Sequence, residues 1–182
     1  MLAAVRAAML AGLLLLPSRN PPGAAQVRDT AGLDFLGFRA GARLEELNQQ
    51  LRNAGGEGLR CRQARADRRV SECRGFLRGS DEVPDIALWI SAIDSVAGIM
   101  TLFGRVDSLQ LDDWRTSLEH RYGRVGLRVQ GSQSMLQWVR RGRMIRLTWR
   151  VERREQVASV SLVDGHVLDG WGRTRTQPKR TR

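Results

Sequence analysis

The chain has 182 residues, of which 30 are basic and 19 acidic, for a net charge of +11, and 42% are hydrophobic. That is enough chain for one domain with its own core, and such a positive excess draws a protein towards anionic surfaces. Two cysteines and two distant histidines make a poor zinc set, so neither a metal centre nor a cofactor is expected.

Residues 1–25 have the three-part order of a cleavable secretory signal. Arg6 precedes an apolar run from Ala7 to Leu16, Pro17 ends it, and Gly23 and Ala25 stand at −3 and −1 of a cut before Gln26. The run is about half of the ~20 residues a bilayer-spanning helix needs. The rest of the chain carries no second candidate span. Removing Arg6 and Arg19 leaves 28 basic against 19 acidic residues, a net +9. Export to the periplasm or the medium also makes nucleic acid an unexpected partner.

Leu33–Phe38 reads as a strand, and Gly41 precedes a helix with Leu44, Leu47 and Leu51 at i, i+3 and i+7. Gly55 and Gly56 end that helix. Cys61 and Cys73 flank a turn centred on Asp67, which sets them opposite one another in a hairpin. In an exported chain that pairing predicts a disulfide, worth about 3 kcal/mol in the loop-entropy picture. A turn at Gly79–Pro84 leads to strands at Ile86–Ile93 and Ala97–Val106.

The second half repeats the order. Ser108 is placed to cap a helix with Asp112 and Asp113 in its first turn, and Leu111, Trp114 and Leu118 renew the i, i+3, i+7 spacing. Strands are expected at 126–129, 135–140, 144–151 and 157–163. Asp164-Gly165 signals a hairpin turn into a last strand, His166–Leu168. Gly58-Leu59-Arg60 recurs as Gly126-Leu127-Arg128. The expected fold class is α+β: two helix-plus-four-strand repeats, 26–105 and 106–168, forming one antiparallel sheet of about eight strands with helices on one face. A basic, disordered tail, 169–182, follows.

This tandem order resembles the β-lactamase-inhibitory-protein fold and the related BamE (SmpA/OmlA) outer-membrane lipoproteins. Gly41-Ala42-Arg43-Leu44-Glu45-Glu46-Leu47 is similar to the Gly-x-x-x-x-Glu-hydrophobic start of that family's helix. The Cys61/Cys73 clip is similar to the disulfides of the inhibitors. In this chain Asp107-Ser108 stands where the second motif would have glycine, the second repeat has no cysteine pair, and no lipid-attachment cysteine follows the apolar run.

No nucleophile elbow, phosphate loop or His-Glu-x-x-His motif occurs. His120 suits the negative end of the second helix. Asp94 and Glu72 form an acid/base pair only if the fold joins them, so a non-enzymatic protein is the expectation, with an enzyme as the third reading. Alternation from Arg143 onwards puts Ile145, Leu147, Trp149 and Val151 on a core face, and Met144, Arg146, Thr148 and Arg150 on an open one. With Trp89, and with Trp138 and Arg140 from the preceding strand, these residues suggest an Arg/Trp binding surface of the kind that dominates protein interfaces. The expected function is therefore a secreted or periplasmic module that presents Trp89, Trp138, Arg140, Arg146 and Arg150 to a protein partner. The alternative is an envelope protein that meets anionic lipid or polymer through its basic sheet face and tail.

Overall fold

The computed structural model describes residues 32–80 and 84–173. The expected signal segment and most of the expected tail lie outside them. The elements are β1 (Asp34–Phe35), β2 (Phe38–Arg39), α1 (Leu44–Asn53), β3 (Arg60–Gln63), β4 (Val70–Leu77), β5 (Ile86–Ile93), β6 (Val96–Val106), α2 (Ser108–Tyr122), β7 (Arg128–Gln130), β8 (Gln133–Arg140), β9 (Arg143–Glu152), β10 (Glu155–Asp164) and α3 (Gly165–Arg173). The fold is α+β. One antiparallel sheet of eight strands runs in the order β3-β4-β5-β6-β10-β9-β8-β7, and β1 and β2 form a separate small hairpin.

Register fixes the two faces. Cys73, Ile90, Met100, Leu162, Ile145 and Trp138 stand opposite one another from β4 to β8, and all six are buried. This is the core face. Each large side chain fully buried there contributes about 1.5–3 kcal/mol of hydrophobic stabilisation. The helices lie on this side. Leu51 of α1 approaches Gly75 so closely that a Cβ there would meet its Cδ2 at 2.5 Å, and Leu168 of α3 lies against Gly98 in the same way. Leu111, Trp114 and Leu118 are the buried residues of α2. Phe35 meets Trp114 edge-on at 5.0 Å, which ties the small hairpin to α2.

The strand expected at Leu33–Phe38 is instead the β1–β2 hairpin, because Leu36 and Gly37 both take positive φ (50° and 79°) and turn the chain back. The expected strand at His166–Leu168 is also corrected: it is the first part of α3. Asp164 acts as a helix cap rather than a hairpin turn, its Oδ1 accepting from the backbone N–H of His166 (3.0 Å) and Val167 (3.3 Å). The segment taken as tail from 169 is helical as far as Arg173. At α2 the cap is Asp107, not Ser108. Asp107 and Gln110 exchange backbone hydrogen bonds in a capping box, and Asp112 and Asp113 fall beyond the first turn.

Asp164 is the one buried charged residue among those described, at 2% exposure. Its Oδ2 accepts from Arg143 Nε at 2.8 Å. Gly41, with φ +86°, passes so close that a Cβ would stand 2.5 Å from that same oxygen. The glycine placed before α1 in the sequence is thus required by both backbone conformation and space.

Candidate functional site

The opposite sheet face has no described helix on it. Its central row, read by register from β4 to β8, is Arg74, Trp89, Thr101, Ser161, Arg146 and Gln137. Trp89 is 53% exposed. Arg74 lies over its ring with the guanidinium carbon 5.5 Å from the centroid, and Phe103 meets it edge-on at 5.1 Å. Phe76 and Ile99 add further exposed apolar surface on this face. Exposed aromatic surface flanked by arginine is the composition of interface hot spots rather than of ordinary solvated sheet.

Across the sheet midline the side chains become small and hydroxylated. Thr101 Oγ1 and Ser161 Oγ are 3.1 Å apart, and Thr148 Oγ1 and Ser159 Oγ are 2.7 Å apart. Beyond them Arg146 donates through Nε and Nη2 to Gln137 Oε1 at 3.0 and 2.8 Å. Neither Arg74 nor Arg146 has a carboxylate within 4.0 Å among the described residues. Arg62, Arg105 and Arg150 are paired with Glu72, Glu155 and Glu152. Such exposed pairs are worth only about 0–1 kcal/mol each. A hollow of about 410 Å³ beside Trp89 is lined by Arg74, Ile99 and Thr101, and one of about 780 Å³ is floored by Phe76, Ala87, Phe103 and Val157.

Three of the five residues expected on one binding face are there: Trp89, Arg146 and Arg150. Trp138 and Arg140 are not. Trp138 is 3% exposed, stands opposite Ile145, and donates its indole N–H to Gly123 O at 2.6 Å. Arg140 shares its side of the sheet and donates to Tyr122 O at 2.7 Å while stacking on that ring at 5.6 Å. Both therefore secure the C-terminal end of α2. Tyr122 itself donates to Asp34 O and accepts from Asp34 N–H, each at 2.8 Å. Burial raises its phenol pKa above the ordinary value of 10.0, partly offset by the hydrogen bond to the Asp34 backbone.

Arg74, Phe76 and Phe103 were not singled out from the sequence. The signal for the first two was available: if Cys73 faces the core, its neighbour Arg74, and Phe76 beyond it, must face the other way. The disulfide is present, with Cys61 and Cys73 directly opposed in β3 and β4. Glu72 is bonded to Arg62 at 2.7 Å, whereas Asp94 lies in the β5–β6 turn, three residues beyond Ser91, the β5 partner of Glu72. No group of His, Cys, Asp and Glu able to hold a metal occurs among the described residues, and none of their helices is long and apolar enough to cross a membrane. No family model, curated protein or solved structure matches the chain.

Proposed function

We propose that the chain is an exported binding module whose open sheet face docks an acidic surface of a protein partner. The observation that carries this reading is the row in which Trp89, flanked by Arg74, is followed across the sheet by Arg146. It joins an aromatic anchor to two guanidinium groups that lack carboxylate partners among the described residues. Charge complementarity selects the partner: a face with that surplus of arginine favours Asp and Glu opposite it. The signal segment and the Cys61–Cys73 disulfide support export. We also read the domain as a duplicated unit. Each helix α1 and α2 precedes four strands, and the last strand of each set, β6 and β10, meets at the middle of the sheet. That is the order implied by the resemblance to the inhibitory-protein and BamE folds.

The test is photo-crosslinking from position 89 or 146 in extracytoplasmic extract, with position 52 on the helix side as control. Adducts concentrated at 89 and 146 and mapping to Asp/Glu-rich surface peptides of one protein support the proposal. Equal labelling from position 52 refutes it. Binding that vanishes in high salt and depends on residues 174–182 favours the lipid or polymer reading instead.

A further inference from the structure

A second feature lies at the β3–β4 edge of the same face. Arg60 and Arg74 are direct cross-strand partners, and like charges set opposite one another destabilise a sheet unless something compensates them. Arg78 follows on the same side of the chain, two residues beyond Phe76. All four side chains line one hollow of about 400 Å³. The single carboxylate in that lining, Glu57, is spent on Arg60, whose Nη2 it accepts at 2.9 Å. Three guanidinium groups against one carboxylate leave the lining at +2.

We propose that Arg60, Arg74 and Arg78 bind a phosphate monoester whose organic body lies against Phe76. The charge balance selects the anion: a phosphate monoester carries about −1.5 to −2 at pH 7, whereas a carboxylate carries only one charge and two acceptor oxygens. Guanidinium forks match phosphate oxygens two at a time. The volume is within the ~300–1,000 Å³ of small-molecule clefts, so room remains beyond the phosphate group. An anion seated there also compensates the Arg60–Arg74 juxtaposition, of which Glu57 offsets only the Arg60 side. This site shares Arg74 with the row beside Trp89 but lies apart from Arg146, and its binding of a phosphate does not depend on a protein partner.

The experiment is calorimetric titration of the signal-free chain with phenyl phosphate, inorganic phosphate and benzoate, and co-sedimentation with phosphatidylcholine vesicles with and without phosphatidic acid. Phenyl phosphate should saturate and bind more tightly than inorganic phosphate, and benzoate should bind roughly tenfold more weakly or worse. Arg60→Gln and Arg78→Gln should each weaken binding roughly tenfold. The free Arg60→Gln protein should melt close to the parent, because relief of the like-charge pair offsets loss of the exposed Glu57 ion pair. Arg146→Gln should leave the affinity unchanged. Affinity should fall below about pH 6, where the phosphate loses its second charge. Binding confined to phosphatidic acid vesicles and lost in both pocket variants places the same phosphate on a lipid. The proposal is overturned by absence of binding to phenyl phosphate, inorganic phosphate and phosphatidic acid vesicles alike, by equal affinity for benzoate, or by binding that survives in Arg60→Gln and Arg78→Gln.

Discussion

At the scale of single residues, Trp138 separates a structural role from a binding one. Its ring fills the core under the end of α2, and its indole N–H satisfies Gly123 O. Trp138→Ala therefore removes packing and leaves a backbone acceptor without its donor. Truncations of this kind cost about 3–5 kcal/mol, so the urea midpoint should fall steeply. Trp89→Ala, at a half-exposed ring, should leave the midpoint nearly unchanged. If the two variants were equally stable, the placement of Trp138 in the core would be wrong. The sequence contained the means to place it. A two-residue turn at Arg141-Gly142 pairs Arg140 with Arg143, and counting back pairs Trp138 with Ile145, a residue already assigned to the core. Alternation alone gives the relative faces within one strand; only register carries them to the next.

At the scale of elements, most strands were legible because apolar alternation is strong in them. β5 is found at Ile86–Ile93 as expected, and β6, β8, β9 and β10 differ from expectation by one or two residues at their ends. The failures lie where one residue type serves two local structures. Asp164 followed by Gly165 suits a tight turn and a helix start equally well, and packing of Val167 and Leu168 on Gly98 decides for the helix. The turns were less legible still. Arg153 and Arg154 both adopt positive φ, 47° and 71°, to join β9 to β10. This is the conformation that asparagine and glycine adopt most readily and that branched or long side chains resist. Replacing the pair by Asn-Gly should stabilise the protein by about 1 kcal/mol, read as a higher melting temperature with an unchanged strand spectrum. Destabilisation would mean that the arginine side chains hold the turn themselves.

At the scale of the whole molecule, sheet order sets the ranking of local stability. The middle strands β6 and β10 are paired on both sides and hold Met100, Leu102, Val160 and Leu162 in full burial. The four residues of β3 are all exposed, and β3 is held by β4 and by the disulfide. Hydrogen exchange should be slowest in β6 and β10 and fastest in β3 and β7. Reduction of Cys61–Cys73 should speed β3 first while leaving the centre protected. Uniform loss of protection on reduction would show that the clip governs global rather than edge stability. Central pairing joins residues about sixty positions apart, and no local signal in the sequence announces it. The open face was for the same reason only half legible: its Arg146 side could be read within one strand, while Arg74 joins it only through four strand pairings. That meeting of β6 and β10 also shapes the solvation of the face. Along the midline, Thr101 and Ser161, and Thr148 and Ser159, already bond to one another. Each pair satisfies one of its two hydroxyl protons internally, so a surface laid over the seam between its aromatic and its cationic flank need offer only one acceptor per pair, half of what four separate hydroxyls would demand.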